Sequence, residues 1–261
     1  MIPEDDRGLL LGDGLFETLR AEGGMILDWD AHWDRLTRGC ATLGLPAPAE
    51  AEALARSREA LQTVFAPVGA LRLTWTAGSG GRGLDRPHAP EGRLLVSATA
   101  YEPPMSLAAL ITSSIRRNDG SPTSRLKSLS YLDNVLARRE AREAGADEAV
   151  MLNTRSQVAC ATAANLFWFE DDILTTPSLD CGVLDGVMRG RIIALAIQSD
   201  LAVREGHAEP KALEAAAGLF LTNSLIGVRP VASLDGRAVP PHPAVAQLAQ
   251  ALAVAASGVS L

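Results

Sequence analysis

A polar, turn-rich segment in the middle of the chain limits the folds that this sequence can adopt. Residues 118–124 read NDGSPTS and contain no large apolar side chain. This composition is typical of a linker, because Gly, Pro, Asn, Asp and Ser favour turns over helices and strands. We therefore predict a smaller domain over residues 1–117 and a larger one over 125–261, and a chain of 261 residues is long enough for both.

The first half of the chain has the pattern of an α+β domain. Apolar residues alternate on either side of Gly23 and Gly24, which predicts a hairpin. Helical spacing follows from about residue 28 to Gly44, and again over residues 49–65. Further strands are expected over residues 70–77, 92–100 and 107–117.

The second half begins with a predicted helix headed by Lys127. On this helix Leu129, Leu132, Leu136 and Ala137 form an apolar stripe. The remaining pattern predicts mixed strands and helices: strands in DEAVMLN, QVACAT, NLFWFE, LAVREG and GLFLTN, a helix after Gly186, a hairpin at Asp235 and Gly236, and a closing helix in AVAQLAQALAVAA.

Charge, hydropathy and cysteine content argue against several functions. The net charge is −7 and basic residues alternate with acidic ones, so a nucleic-acid partner is not expected. No stretch reaches the roughly 20 apolar residues that cross a bilayer, and the acidic start MIPEDDRGLL does not have the pattern of a secretory signal. Cys40, Cys160 and Cys181 form no C-x-x-C pair, which disfavours a disulfide framework and a metal site. We expect a cytoplasmic protein.

The glycine-rich segment AGSGGRG allows three interpretations. Gly78, Gly80 and Gly83 match the spacing of a dinucleotide-binding turn. That turn requires a helix directly after it, whereas Pro87 and Pro90 follow here. The alternatives are a flexible hairpin loop, or a loop that brings a basic side chain close to an anionic ligand.

Lysine is rare in this chain, and the position of one lysine is therefore informative. Of 24 basic residues only Lys127 and Lys211 are lysines, and arginine is used elsewhere. A lysine at the start of a helix can simply extend its amine to water. Unlike a guanidinium, however, an amine can lose its proton at moderate cost and form a Schiff base with a carbonyl compound. The sequence therefore indicates imine chemistry at Lys127.

Seven segments occur in an order that identifies a family. They are LGDGLFETLR, HWDRLTRGCATLGLP, GSGGRGL, LKSLSYLDNVLARREAREAGADEAVMLN, ATAANLFWF, ILTTPSLDCGVLDGVMRGRII and FLTNSLIGVRPV. In this order the chain resembles the class IV, or fold-type IV, pyridoxal-phosphate enzymes, which include branched-chain and D-amino-acid aminotransferases and 4-amino-4-deoxychorismate lyase. The resemblance implies a two-domain α/β fold, with a small α+β domain and a larger domain built on a mixed, barrel-like sheet. It also implies a homodimer, with pyridoxal 5′-phosphate in a cleft between the domains.

The resemblance implies roles for residues that would hold the cofactor. Lys127 matches the lysine that binds the cofactor covalently and later moves protons. Arg35, in the H-x-x-R-L motif, matches the arginine that grips the phosphate, and a guanidinium fork suits phosphate oxygens. Val187 and Met188 fall at a predicted helix start, where backbone N–H groups favour a dianion.

Further contacts follow from the same resemblance. Asn223 and Ser224, in the TNS motif, match donors to the cofactor phosphate. Phe16, Glu17 and Thr18 follow a glycine-rich turn that faces the cofactor in the family, so we predict that they line the substrate pocket. Arg82 is the candidate for binding a substrate carboxylate.

One position departs from the family pattern. Cys160 stands where the family has a glutamate that pairs with the protonated ring nitrogen of the cofactor and makes the ring an electron sink. A thiol carries no fixed negative charge at neutral pH unless its pKa is lowered. We therefore expect a weaker electron sink in this protein.

The weaker sink favours one reaction of the family over another. Transamination needs a stabilised carbanion in both half-reactions, whereas the lyase reaction is driven by aromatisation as pyruvate leaves. We thus expect a lyase that converts a small anionic amine, 4-amino-4-deoxychorismate, into 4-aminobenzoate and pyruvate in folate biosynthesis. The alternatives are an aminotransferase acting on D-amino or branched-chain amino acids, and a cofactor-binding relative with weakened activity.

Overall fold

The chain folds into two compact units. The computed structural model describes residues 2–256, so Met1 and the last five residues of the predicted second domain lie outside the described residues. The first unit is Met1–Glu102 with Leu126–Tyr131, and the second is Pro103–Arg125 with Leu132–Leu261. These units differ from the predicted domains because residues 108–117 pair with strands of the second unit, while the segment around Lys127 pairs with the first.

The first unit contains an antiparallel sheet in the order β2-β1-β3-β4. Its elements are α1 (Arg7–Leu11), β1 (Gly14–Glu22), β2 (Met25–Ile26), α2 (Trp29–Leu43), α3 (Glu50–Leu61), β3 (Val68–Thr76) and β4 (Arg93–Ala100). The predicted hairpin between β1 and β2 is confirmed, and Gly23 and Gly24 turn it with φ values of 56° and 83°. Both predicted helices are present as α2 and α3.

Alternation along β1 places leucines toward the helices. Leu15 and Leu19 are buried with Leu71 of β3 and Leu36 of α2. Each fully buried leucine stabilises the fold by roughly 1.5–3 kcal/mol relative to an exposed one. Side chains at alternate positions of a strand point to opposite faces, so Phe16 lies on the other face of β1.

The second unit is built on a nine-stranded mixed sheet. The strand order is β10-β9-β8-β11-β12-β5-β6-β7, with β13 beside β12, and the pairs β5/β6, β5/β12 and β9/β10 are parallel. Its elements are β5 (Ala108–Arg117), a 3-10 turn (Pro122–Arg125), α4 (Leu132–Glu143), β6 (Glu148–Asn153), β7 (Val158–Ala161), β8 (Asn165–Glu170), β9 (Ile173–Pro177), a second 3-10 turn (Leu179–Cys181), α5 (Val187–Gln198), β10 (Val203–Gly206), α6 (Pro210–Glu214), β11 (Gly218–Asn223), β12 (Gly227–Leu234), β13 (Arg237–Ala238) and α7 (Pro243–Ala256). The predicted mixed sheet is confirmed.

Aromatic side chains fill both sides of strand β8. Phe167 and Phe169 pack with α5 and α7, whereas Trp168 points to the other core, against Leu219 of β11. Phe167 stacks on Phe220 with ring centroids 5.1 Å apart. Because β8 is buried on both faces, it reads as an uninterrupted apolar run in the sequence.

The predicted helix around Lys127 is wrong in its start, and of its predicted stripe within α4 the leucines are exposed while Ala137 is buried as predicted. Helix α4 begins at Leu132, five residues after the lysine. The side of α4 that packs on the sheet carries Asn134, Ala137 and Ala141, whereas Leu132 is 76% exposed. Small side chains permit a close approach of a helix to a sheet. Tertiary packing therefore determines which face of α4 is buried, and the leucines face away from the sheet.

Residues 2–256 contain no helix that is both long enough and apolar enough to cross a membrane.

Candidate functional site

In the first unit, Lys127 lies in a turn that is held against β1, next to an isolated antiparallel bridge between Ser128 and Leu15. Its carbonyl oxygen accepts a hydrogen bond from the Phe16 N–H at 2.9 Å, and the Leu129 N–H donates to the Gly14 carbonyl at 3.0 Å. The Lys127 side chain is half-buried, and Nζ lies 4.2 Å from the centre of the Phe16 ring and 5.6 Å from that of Tyr131. The amine thus packs on aromatic rings, as a nucleophile partly shielded from water would.

Arg72 is a second cation beside the same ring, and the sequence analysis missed it. Its Cζ lies 3.9 Å from the centre of Phe16, and the Phe16 and Tyr131 rings meet edge to face at 5.1 Å. The register of β1 and β3 pairs Arg72 with Thr18, and cross-strand partners share one face of a sheet. Burial lowers the pKa of Arg72, but a guanidinium stays charged at neutral pH. Two cations, an aromatic ring and a hydroxyl together suit a small anionic ligand with an apolar body.

Arg35 forms a buried network with Glu17 and His32. Arg35 Nε donates to Glu17 Oε1 at 2.8 Å and Nη2 to Oε2 at 2.5 Å, while His32 Nδ1 lies 2.7 Å from Oε2. Burial disfavours the charged carboxylate, but the charge and hydrogen bonds of Arg35, with those of His32, outweigh it and lower the pKa of Glu17 to about 2. Glu17 therefore fixes the orientation of the guanidinium to which the resemblance assigns the phosphate.

The glycine-rich loop has a structural anchor, and Arg82 lies at its exposed part. Arg7 is buried and donates to the carbonyl oxygens of Gly83, Leu84 and Asp85 at 2.9–3.3 Å. No helix of the first unit's described residues follows this loop, which agrees with the proline pattern against a dinucleotide-binding turn. The role of Arg82 stays a prediction.

In the second unit, Cys160 is a buried thiol on β7. It lies opposite Met151 of β6 and is 6% exposed. Burial raises its pKa, Arg117 opposes that shift and Glu148 adds to it, so the thiol is neutral at pH 7. Arg117 is buried too and donates to Asn134 Oδ1 at 3.1 Å and the Gly182 carbonyl at 3.0 Å. The position that the resemblance assigns to a carboxylate therefore carries no negative charge.

The start of α5 has the geometry of an anion-binding helix terminus. Gly186 precedes the first helical residue, Val187, and no side chain caps the first turn, which also contains the buried Met188. Backbone N–H groups at such a terminus and the helix dipole favour a phosphate. A Cβ at Gly186 would lie 2.0 Å from Asn165 Oδ1, so glycine is needed for the turn to pass this close. These residues fit a phosphate-bearing cofactor.

Asn223 shapes the turn after β11 that includes Ser224. Its Nδ2 donates to the Ala163 carbonyl at 2.9 Å, and its Oδ1 accepts from the N–H groups of Leu225 and Ile226 at 2.9 and 3.0 Å. Both Asn223 and Ser224 are half-buried. The amide thus holds the turn, and binding of the phosphate by either residue stays a prediction.

Comparison with known proteins identifies the family of the chain. The family Amino-transferase class IV matches residues 14–234. A Methanocaldococcus jannaschii protein provisionally named branched-chain-amino-acid aminotransferase is 32% identical, over 90% of this chain and 83% of its own length. Aminodeoxychorismate lyase of Bacillus subtilis is 31% identical, over 88% of this chain and 80% of its own.

A solved structure shows the same fold. It is a Legionella pneumophila protein provisionally named 4-amino-4-deoxychorismate lyase, with a TM-score of 0.90 and 32% identity. The similarity covers 97% of this chain and 94% of the Legionella chain. The predicted fold class is confirmed by this agreement, since nearly every element of both chains is included.

Proposed function

Because the chain belongs to the class IV aminotransferase family, whose members depend on pyridoxal phosphate, we propose that it is a lyase that converts 4-amino-4-deoxychorismate to 4-aminobenzoate and pyruvate in folate biosynthesis. When bound, the cofactor supplies an aldehyde that condenses with amines and a ring that withdraws electrons from the adjacent carbon. The observation that carries the choice of reaction is the buried, neutral thiol of Cys160.

Lys127 supplies the reactive amine. Its Nζ would hold the cofactor covalently, and the same amine would take the proton from the amine-bearing carbon of the substrate. The rings of Phe16 and Tyr131 keep water from one side of Nζ and limit the orientations of the side chain. Loss of such a positioned base alone lowers a rate by about 10²–10⁴-fold.

Cofactor contacts are proposed for residues of each unit. In the first unit Arg35, held by Glu17, offers charge to the phosphate. In the second unit the N–H groups of the first turn of α5, at Val187 and Met188, offer hydrogen bonds to a dianion. Asn223 and Ser224 are proposed as further donors.

The substrate carboxylates need a cation, and Arg72 is our first choice. Both arginines are exposed, but the guanidinium of Arg72 shares the Phe16 ring with the Lys127 amine, whereas Arg82 lies on the glycine-rich loop. A charged hydrogen bond contributes about 1.5–3 kcal/mol, or roughly 10–150-fold in affinity. Arg72→Ala should therefore raise the KM by that factor and leave bound cofactor unchanged. If Arg82→Ala raises the KM and Arg72→Ala does not, the carboxylate belongs to Arg82.

The reaction is tested by counting products. Purified protein with pyridoxal phosphate and 4-amino-4-deoxychorismate should release 4-aminobenzoate, followed by its fluorescence, and pyruvate, followed with lactate dehydrogenase, in equal amounts. Lys127→Ala should abolish both products and the borohydride-reducible absorbance of the bound cofactor. Lys211→Ala is the matched control, because it removes the other lysine and should change neither.

An aminotransferase is the second candidate. The M. jannaschii relative carries an aminotransferase name at 32% identity, which is as similar to this chain as the lyases are. Incubation with D-alanine or leucine and a keto-acid acceptor separates the two reactions. Stoichiometric transfer of the amino group at a higher kcat/KM than aminobenzoate release would replace the lyase assignment.

A further inference from the structure

Three side chains with metal-binding atoms meet in the second unit, and none of them is a residue assigned to the cofactor. They are Asp180, Cys181 and His207, and a carboxylate oxygen, the thiol sulfur and an imidazole nitrogen lie within 4.8 Å of one another. His207 Nε2 is 2.8 Å from Asp180 Oδ2. None of the three has a role in the proposed function.

Strand pairing brings the three residues together. The parallel pair β9/β10 places Gly206 opposite Pro177, and the Ser178 N–H donates to the Gly206 carbonyl at 3.0 Å. His207 is the next residue after β10. In the segment that follows β9, the Cys181 N–H donates to the Ser178 carbonyl at 3.0 Å and closes the turn that carries Asp180. The backbone therefore fixes the three positions without a metal.

The donor set matches the preferences of zinc. Zinc binds thiolate, imidazole and carboxylate in a tetrahedron with bonds of about 2.0–2.3 Å, which places neighbouring donors about 3.3–3.8 Å apart. Shifts of about 1 Å or less would bring the present atoms to that spacing. Cys181 is fully buried, whereas the side chains of Asp180 and His207 are 51% and 43% exposed. The sulfur would form the floor of a site that opens to solvent between the other two donors.

The charged groups around Asp180, Cys181 and His207 favour the binding of a cation there. Arg155 donates to the Asp180 carbonyl oxygen at 3.0 Å, but its guanidinium also pairs with Asp119 at 3.0 Å. These two charges compensate each other. The carboxylate of Asp180 and a thiolate at Cys181 would then give the donor set two negative charges, which matches a dication.

We propose that Asp180, Cys181 and His207 form a three-ligand site for a divalent cation of the zinc class, with water as the fourth ligand. On binding, the Cys181 S–H bond breaks, its proton passes to water, and the sulfur donates an electron pair to the metal. No electrons are transferred. Cys181 lies five residues before Gly186, so a bound metal would stabilise the segment that leads into α5.

The site is tested on the cofactor-loaded protein with zinc and cobalt chlorides. Equilibrium dialysis of chelator-treated protein should give one zinc per chain. Cobalt should produce a thiolate-to-metal charge-transfer absorption in the wild type. His207→Ala should weaken zinc binding at least tenfold, while His88→Ala, which removes another exposed histidine, should not. Cys181→Ser should abolish the cobalt band, and Cys40→Ser should retain it.

Thermal unfolding with and without zinc tests the site without the Cys181→Ser variant, in which a buried residue is changed. Because a ligand that binds only the folded state stabilises it, zinc should raise the unfolding temperature of the wild type and of His88→Ala but not of His207→Ala. His207 is exposed, so its removal leaves the core intact. Equal zinc affinity and equal thermal shifts in His207→Ala and the wild type would mean an adventitious ion only, and the proposal would be wrong.

Discussion

Cys160 is the residue on which our choice of reaction depends. Under the proposed function, a thiol that is neutral at pH 7 would give the cofactor ring no negative partner, which a reaction driven by aromatisation tolerates better than transamination. We predict that Cys160→Glu increases amino transfer from D-alanine or leucine relative to aminobenzoate release. Cys160→Ser is the control, because it changes the side chain without adding charge.

The same variants distinguish a lyase from a cofactor-binding relative with weakened activity. If the native protein forms no product from any substrate and Cys160→Glu is active, the native chain binds cofactor with little catalysis. If the glutamate variant loses aminobenzoate release and gains no transfer, the argument from the electron sink fails. Both products are measured in the same assay mixture.

Glu17 makes the first unit sensitive to acid. Its pKa is about 2 in the folded protein and 4.5 in an unfolded chain, so its contribution to stability is complete above pH 4.5 and is lost as the pH falls toward 2. The difference corresponds to on the order of 3 kcal/mol. We predict that Glu17→Gln lowers the free energy of unfolding by at least this amount at pH 7.

Denaturant titrations at several pH values check the prediction. The difference between Glu17→Gln and the wild type should shrink between pH 4.5 and pH 2. Glu22→Gln is the matched control, since Glu22 lies on the same strand, has a side chain that is 41% exposed and pairs with the half-buried Arg20, and ion pairs near the surface contribute about 1 kcal/mol or less. A constant difference across the pH range would show that Glu17 stabilises by packing and not by its charge.

At the scale of single elements, we predict that the first turn of α5 is needed to retain the cofactor. Gly186→Ala would place a methyl group 2.0 Å from Asn165 Oδ1, so either the turn or the Asn165 amide, which donates to the Leu184 carbonyl, must move. A shift that costs about 1–3 kcal/mol should weaken retention of pyridoxal phosphate roughly tenfold or more. Gly190→Ala is the control within the same helix, because its Cβ meets nothing within 4 Å. Unchanged cofactor affinity in Gly186→Ala would remove the α5 terminus from the proposed phosphate site.

Elements with strong local patterns were predictable, and the segment around Lys127 was not. The β1/β2 hairpin depends on Gly23 and Gly24, and α2 and α5 depend on helical spacing with glycine at their ends. All of these signals lie within a few residues of the element. Residues 127–129 pair with β1 instead of starting a helix, because hydrogen bonds to Phe16 and Gly14 stabilise them there. Such pairing across more than 100 residues has no local signature.

At the scale of the whole molecule, we propose a homodimer. The proposal rests on the family resemblance, and exposed apolar residues offer surface for it: Leu9 and Leu10 of α1 are 66% and 62% exposed, and Leu132 and Val135 of α4 are 76% and 59% exposed. Light scattering should give twice the chain mass of 27.4 kDa. A monomer at all protein concentrations would contradict the proposal.

The sequence by itself determined the family and the cofactor class, because these depend on residue types in a fixed order along the chain, and on the same basis it predicts the role of Lys127. It also indicated the mixed sheet and most helices. Only the tertiary structure brought Arg72 to the ring that Lys127 touches, bound Arg35 to Glu17, and assembled Asp180, Cys181 and His207. These neighbours come from separate segments, and strand register and helix packing set their distances. Such contacts arise from non-local hydrogen bonds and buried surface, which no short stretch of sequence specifies.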